Sequence, residues 1–223
     1  MFLDIALRNA AWGFRVFPLI PKTKRPLPLT EGDHFDAATV DAEQIELWAA
    51  QVPNANVGLS PDEHFCFLET DDEAALREKC SDLPPEVWDT MRVSARENRC
   101  YYVFRQTMRT RKAGNMTVAR PGENNLFEFK QYRVYVVGPG SIHEKTGKPY
   151  EVREQSIPAM PDILLNRLCD LYGAPPASGG SSVMSDETKR QTELLDRFLE
   201  FCEVPTLDNW FNKGKQWYRP IVT

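Results

Sequence analysis

The stretch Phe65-Cys-Phe-Leu-Glu-Thr-Asp71 is a short apolar run that ends in two acids at alternate positions. Successive side chains of a β-strand point to opposite faces, so this pattern places Glu69 and Asp71 on one face. Carboxylates side by side repel each other, and a divalent cation such as Mg²⁺ removes that repulsion. The stretch therefore predicts a strand that carries a metal site. The alternative is a strand that ends in solvent, with Asp71 or Asp72 capping the next helix.

A third acid, Glu128, lies within the apolar segment Leu126-Phe-Glu-Phe-Lys130. The flanking aromatic side chains should point to the opposite face, and an acid in such a segment needs a partner. Three carboxylates suit two divalent cations about 3.5–4 Å apart, which clamp the attacking and leaving oxygens of an in-line phosphoryl displacement. The alternative interpretation pairs Glu128 with one of the many nearby arginines.

Charge is distributed unevenly along the 223 residues, whose net charge is −5. Residues 92–133 contain ten Lys and Arg against three Glu, whereas residues 61–90 contain ten Asp and Glu against two Lys and Arg. A basic face beside an acidic centre suits a protein that binds phosphates near carboxylate-bound cations. Two solvated faces of opposite sign produce the same pattern, so charge alone does not decide the function.

Helical and extended patterns alternate irregularly and without an internal repeat, which predicts an α+β fold with a mixed or antiparallel sheet. Four helices are predicted within residues 1–173, over residues 3–12, 41–48, 72–80 and 160–172. Short apolar runs lie at residues 14–19, 57–59, 65–68, 87–93, 100–104, 126–129 and 134–137.

Composition divides the chain into three parts. Residues 1–173 are predicted to form the main domain, and the Pro-, Gly- and Ser-rich stretch 174–185 a flexible linker. An amphipathic helix then opens a helical appendage over residues 186–223. The last residues have the pattern of a strand cut off at its end, so we expect the natural chain to continue into a downstream module.

The sequence predicts a cytoplasmic protein without a membrane partner. No apolar run approaches the roughly 18 residues of a membrane-spanning helix, and the start lacks the basic head and cleavage site of a signal peptide. The five cysteines are odd in number, scattered and never in Cys-x-x-Cys spacing. That usage is typical of reduced, mostly buried thiols.

Several segments occur in a recognisable order: residues 10–19 (Ala-Ala-Trp-Gly-Phe-Arg-Val-Phe-Pro-Leu), Lys24-Arg-Pro-Leu, Pro53-Asn-Ala-Asn-Val-Gly-Leu and Tyr135-Val-Val-Gly-Pro-Gly-Ser-Ile-His. From about Ala6 to Val152 the chain resembles the N-terminal domain of bifunctional primase-polymerases, within the archaeo-eukaryotic primase superfamily. The resemblance implies a primase-like catalytic core with an RRM-like sheet flanked by helices. It also implies template-dependent nucleotidyl transfer, as DNA primase and DNA polymerase, in the replication of a plasmid, phage or other mobile element.

The resemblance also implies roles for single residues. Glu69, Asp71 and Glu128 match the family's metal motifs, with glutamate at the first and third positions where aspartate is usual, and would hold two Mg²⁺ or Mn²⁺ ions. Lys24, Ser141 and His143 lie in matching segments and are candidates for phosphate or sugar contacts. For His143 the alternative is a strand-end residue bonded to a backbone carbonyl.

One motif departs from the family. An ungapped match over residues 93–104 places Tyr101 where the family has a histidine that contacts the incoming triphosphate, and Arg96-Glu-Asn-Arg99 where it has a glycine-rich loop. Tyrosine donates one hydrogen bond but carries no positive charge near neutral pH. Arg96 or Arg99 would supply that charge, since guanidinium groups bind phosphate through paired donors. The alternative is that the triphosphate site has been lost.

The partners implied are a single-stranded or primed DNA template, nucleoside triphosphates and a helicase module in the same full-length chain. Tyr132 and Tyr135 are candidates either for stacking on a base or for packing. The main alternative function is a catalytically inactive nucleic-acid-binding module, which the tyrosine at position 101 motivates. A replication-initiator endonuclease would need a His-x-His site, and the three dispersed histidines do not provide one.

Overall fold

The computed structural model describes residues 1–28, 33–120 and 124–173. The helices are α1 Phe2–Ala11, α2 His34–Ala37, α3 Ala42–Gln51, α4 Glu73–Lys79, α5 Met108–Ala113 and α6 Asp162–Gly173. The strands are β1 Arg15–Leu19, β2 Asn56–Ser60, β3 Phe65–Thr70, β4 Arg92–Arg96, β5 Arg99–Arg105, β6 Met116–Ala119, β7 Asn125–Lys130, β8 Val136–Val137 and β9 Glu151–Arg153. A short 3-10 turn, Pro85–Trp88, precedes β4.

The strands form two sheets. The smaller has the order β1-β2-β8 and the larger the order β6-β7-β3-β5-β4-β9, and every pair of neighbouring strands is antiparallel. The α+β class and the antiparallel sheet predicted from the sequence are therefore confirmed. In the larger sheet β3 lies inside, between β5 and β7.

The larger sheet separates two hydrophobic clusters. Alternate residues of β3 divide between them, because Phe65 and Phe67 belong to one cluster and Cys66 and Leu68 to the other. The first cluster contains side chains of α1, α3 and the smaller sheet, and the second those of α4 and α6. Glu69 follows the alternation of the first cluster, so its side chain is on the same face as Phe65 and Phe67.

Local sequence explains where the helices begin. Asp41 caps α3 by accepting the backbone N–H of Glu43, and Asp72 caps α4 by accepting that of Ala75. Both helices confirm predictions. The alternative role proposed for Asp72, a cap after the strand, is thus its observed role, and it coexists with Asp71 facing the candidate site.

Some elements differ from the sequence patterns. The apolar run 87–93 begins as a 3-10 turn and becomes a strand only at Arg92, and the run 134–137 pairs only through Val136 and Val137. The short elements α5, β6 and β9 had no clear pattern. They are only six, four and three residues long, too short to show a period.

The predicted linker, 174–185, and helical appendage, 186–223, lie outside the described residues. Within the part of the chain that the structure describes, no helix has the length and apolar character required to span a bilayer. The thiols of Cys66, Cys80 and Cys100 are buried and that of Cys169 is exposed, and all four are free. Burial raises the pKa of the Cys66 thiol to about 12.

The side chain of Phe17 lies directly over Gly58, its antiparallel partner across β1 and β2. A Cβ atom added at Gly58 would lie 2.4 Å from Cζ of Phe17, whose side chain is fully buried. A strand glycine of this kind marks a close approach of another group to the backbone.

We expect Gly58→Ala to lower the free energy of unfolding by about 2 kcal/mol, because the ring must leave its well-packed position. Denaturant unfolding measures the change. Gly173→Ala is the matched control, since a Cβ there meets no atom within 4 Å. Equal stability of Gly58→Ala and the wild type would show that Phe17 has room to move.

Candidate active site

Strand register brings two of the three predicted acids together. Glu69 of β3 pairs directly with Glu128 of β7, and Tyr101 of β5 pairs with Glu69 on its other side. Phe127 and Phe129 belong to the cluster on the opposite face, as the alternation predicted. Like charges directly opposite each other in an antiparallel pair are destabilising, so Glu69 and Glu128 require a positive charge nearby.

Lys130 supplies that charge. It lies two residues after Glu128 and so projects from the same face of β7, and its ammonium nitrogen contacts Oε2 of Glu69 and lies 3.3 Å from Oε2 of Glu128. Only 14% of the side chain is exposed. Burial alone would lower the pKa of Lys130, but the two carboxylates outweigh burial and raise the pKa above its ordinary value.

Asp71 is paired with a different cation. Its Oδ1 accepts a hydrogen bond of 2.7 Å from Nη1 of Arg99. The backbone N–H of Asn125 lies 3.4 Å from Oδ2 of Asp71, and the Asn125 side chain donates to Oε1 of Glu128 at 2.9 Å. One asparagine at the start of β7 therefore links Asp71 to Glu128.

The three acids line one cavity of about 380 Å³, together with Lys24, Lys130 and Tyr150. The donors are hard carboxylate oxygens of the kind that Mg²⁺ and Mn²⁺ prefer, so the residues fit such an ion. As the side chains stand, however, no three His, Cys, Asp or Glu groups among the described residues meet closely enough to hold one. The ammonium of Lys130 and the guanidinium of Arg99 occupy the coordinating oxygens instead.

A smaller cavity of about 30 Å³ adjoins the first and shares Glu69 and Asp71 with it. Five of the six candidates for nucleotide contacts line this second cavity: Lys24, Arg96, Arg99, Tyr101 and His143. Lys24 also lies 3.9 Å from Oε1 of Glu69. The structure thus places a group of cationic side chains beside the carboxylates.

The segment that replaces the family's glycine-rich loop is a tight hairpin between β4 and β5. Asn98 has a φ of 57°, which suits asparagine in a turn, and its side chain bonds to Asp72 and to the backbone N–H of Ala74. This hairpin holds Arg96 and Arg99 at the end of the sheet where Asp71 lies, and all three line the smaller cavity.

His143 is held by its own loop. Its Nδ1 lies 3.2 Å from the backbone N–H groups of Lys145 and Thr146, so Nδ1 is an acceptor and Nε2 carries the proton of the neutral ring. Burial and the charges of Arg96 and Lys24 lower the pKa of His143. The ring therefore accepts from backbone N–H groups, where the alternative prediction had it bonded to a backbone carbonyl. Its Nε2–H is left as the donor.

Ser141 lies outside both cavities. The side chain is fully buried, and its Oγ accepts the backbone N–H of Val57 at 2.9 Å. The hydroxyl therefore stabilises the loop after β8 against β2, and the structure does not bring it to the carboxylates. A contact with phosphate or sugar has no support in this position.

Tyr101 lines both cavities, yet its hydroxyl is already used. The side chain is 3% exposed, and the hydroxyl donates to the carbonyl of Val137 at 2.8 Å. The bond ties β5 of the larger sheet to β8 of the smaller one. Its contact with a nucleotide stays a prediction, and the geometry favours a structural role for the hydroxyl.

We expect Tyr101→Phe to leave nucleotide affinity within about twofold of wild type. The same change should lower the free energy of unfolding by about 1 kcal/mol, because a buried carbonyl loses a donor. Equilibrium nucleotide binding and denaturant unfolding give the two numbers. A large loss of nucleotide affinity with unchanged stability would instead assign the hydroxyl to the nucleotide.

A third cavity of about 740 Å³ shares Phe35 and Arg133 with the carboxylate cavity. Its lining includes Tyr132 and equal numbers of arginines and acids: Arg15, Arg111, Arg133, Asp36, Asp62 and Glu63. The Tyr132 side chain is 62% exposed, whereas the hydroxyl of Tyr135 donates to the Lys24 carbonyl at 2.8 Å. Of the two tyrosines proposed for base stacking, Tyr132 is the more exposed, whereas Tyr135 is partly buried and lines the carboxylate cavity.

Sequence reasoning missed Lys130, Asn125 and Tyr150 as site residues. Lys130 carried a signal, because its spacing of two from Glu128 within a strand predicts a shared face. Asn125 and Tyr150 carried none, since their positions depend on pairing between distant segments.

Comparison with known families gives one finding that covers most of the chain. A family model described as "Bifunctional DNA primase/polymerase, N-terminal" matches residues 6–163. The matched range contains both sheets and every residue that lines the carboxylate cavity or the smaller cavity that adjoins it. A comparison with curated proteins gives no match.

Proposed function

Because the chain belongs to the bifunctional DNA primase/polymerase N-terminal family, we propose that it joins nucleotides on a DNA template by metal-dependent nucleotidyl transfer. Family membership itself supports primase or polymerase activity in general and DNA and nucleotides as substrates. The observation that carries the finer proposal is the convergence of Glu69, Asp71 and Glu128 in one open cavity beside a cluster of cationic side chains.

In this proposal Glu69, Asp71 and Glu128 hold Mg²⁺ or Mn²⁺, which when bound lowers the pKa of an attacking hydroxyl and neutralises charge on the phosphates. The carboxylates are well suited to this role because β3 and β7 fix the backbones of Glu69 and Glu128 inside a paired sheet, and the backbone N–H of Asp71 bonds to the carbonyl of Asn125 just beyond it. Asn125 orients both Asp71 and Glu128 by its hydrogen bonds. The paired backbone fixes the positions of the carboxylates, and their side chains supply the negative charge.

The cationic side chains bind the triphosphate. Arg96, Arg99 and Lys24 provide positive charge along the smaller cavity, and guanidinium groups suit phosphate because they donate paired hydrogen bonds. His143 donates from Nε2–H as a neutral ring. Together these groups replace the single histidine that the family has at position 101.

The template runs along the neighbouring cavity of about 740 Å³. The basic residues of segment 92–133 that line it follow the phosphate backbone of the DNA template, and the exposed ring of Tyr132 stacks on an unpaired base.

The protein serves replication of a plasmid, phage or other mobile element, with a helicase module downstream in the full-length chain.

Labelled nucleotide incorporation on a primed single-stranded DNA template in the presence of Mn²⁺ tests the proposal. Incorporation by the wild type that requires the carboxylates supports it. A second candidate, the inactive nucleic-acid-binding module, is favoured by one observation: the hydroxyl of Tyr101 is bonded to Val137 and not offered to a phosphate. Tight DNA binding without incorporation would establish that module.

A further inference from the structure

The carboxylate cavity is electrically balanced without any metal ion. Its three acids are paired with three cationic groups: Lys130 with Glu69 and Glu128, Lys24 with Glu69, and Arg99 with Asp71. A divalent cation added to this arrangement leaves an excess of positive charge in a partly buried site. Such an excess is unfavourable at low dielectric.

Of these cations, Lys130 occupies the position with the greatest effect. Its ammonium bridges both glutamates, and its side chain is 14% exposed. Lys24, by contrast, is about half exposed and reaches one carboxylate at 3.9 Å, so water screens it. Arg99 divides its guanidinium between Asp71 and the Asn124 side chain.

Lys130 also has another acceptor in reach. Its nitrogen lies 3.5 Å from the carbonyl oxygen of Tyr135, on the wall of the same cavity. The ammonium can therefore leave the two glutamates by a small rotation of its flexible stem and keep a hydrogen bond.

We propose that Lys130 is a competing internal cation, which keeps divalent-cation affinity low in the free protein and makes metal binding conditional on a bound nucleoside triphosphate. The inference rests on the proposed function. A triphosphate carries several negative charges, so its arrival offsets both the incoming metal charge and the displaced ammonium. Metal and nucleotide then bind with positive coupling, and neither is held strongly alone.

Mn²⁺ binding followed by electron paramagnetic resonance, which counts free ions, tests the inference without a measurement of activity. For the wild type we expect weak Mn²⁺ binding that tightens when a non-hydrolysable deoxynucleoside triphosphate analogue is added, beyond the Mn²⁺ that the same analogue binds in a protein-free titration. For Lys130→Met we expect Mn²⁺ binding without nucleotide to be at least about tenfold tighter than wild type, because the glutamates lose their counter-ion. The further gain on adding the analogue should shrink.

Two variants serve as controls. Lys112→Met removes an exposed ammonium on α5 and should leave Mn²⁺ affinity unchanged. Lys130→Arg retains the charge and should keep Mn²⁺ binding weak without nucleotide. Thermal melts establish that each protein is folded, and Lys130→Gln, whose amide still donates to the glutamates, replaces the methionine variant if that one does not fold.

The outcomes separate the inference from the function on which it rests. If the wild type binds Mn²⁺ with the analogue and loses it in Glu128→Gln, but Lys130→Met is no tighter than wild type, only the role of Lys130 is overturned. If none of the proteins binds Mn²⁺ even with the analogue, the proposed function and the inference both fail.

Discussion

Asp71→Asn and Glu128→Gln are each expected to lower nucleotide incorporation on a primed template by at least about a thousandfold, equivalent to about 4 kcal/mol of transition-state stabilisation. Each change removes one negative charge from the cavity and keeps the shape of the side chain. The amide oxygen at position 128 can still accept from Asn125, and that at position 71 from Arg99. The loss therefore reports on charge rather than on folding.

The measurement is the single-turnover rate with Mn²⁺ and labelled nucleotide, alongside equilibrium binding of the same DNA. DNA affinity should change little, since in the proposed function the acids hold the metal ions and not the template backbone. Glu46→Gln, which neutralises an exposed acid on α3, is the control and should retain full activity. Near-normal rates in both test variants would disprove the assignment of these carboxylates to the chemistry.

Glu73→Gln is expected to cause the largest loss of stability, about 3 kcal/mol of unfolding free energy at pH 7. Glu73 opens α4, is 14% exposed, and accepts hydrogen bonds from Arg92, Arg77 and Tyr102. Burial by itself would raise its pKa, but the hydrogen bonds from Arg92 and Tyr102 and the charge of Arg92 hold the pKa of Glu73 at about 2. Removing the charge leaves Arg92 without its counter-ion.

The depressed pKa of Glu73 gives the prediction a pH signature. The carboxylate contributes its full stability above its unfolded pKa of about 4.5, and this contribution is lost as pH falls towards the folded pKa of about 2. The difference between wild type and Glu73→Gln should therefore shrink steadily below pH 4.5. Denaturant unfolding at pH 7, 4 and 3 measures it, with the exposed Glu78→Gln of the same helix as control. A constant difference across this range would contradict the assignment.

The faces of individual strands could be predicted from the sequence. The alternation in 65–71 placed Glu69 and Asp71 on one face, and that in 126–130 placed Glu128 opposite its flanking aromatics, because a strand has a period of two residues. The meeting of Glu69 with Glu128 could not be derived in the same way. It depends on the pairing of β3 with β7, across 59 positions of the chain, and no local pattern encodes that register.

Single side-chain roles were less predictable than strands. Ser141 and Tyr101 both lie within the range that matches the family, yet the first bonds to Val57 and the second to Val137, each far away in the sequence. The tautomer of His143 depends on the turn that follows it. In each case the residue type determines whether the side chain can donate or accept, and the tertiary fold determines which group it bonds to.

The division of the molecule by its larger sheet has a practical consequence for protein engineering. All three acids are on one face, while Cys66, Tyr102 and Phe129 pack with α4 and α6 on the other. A library that changes the buried side chains packed against α4 and α6 can raise heat resistance while the electrostatic environment of the cavity stays as it is. Thermostable variants for crystallisation or for biotechnology are best sought on that side.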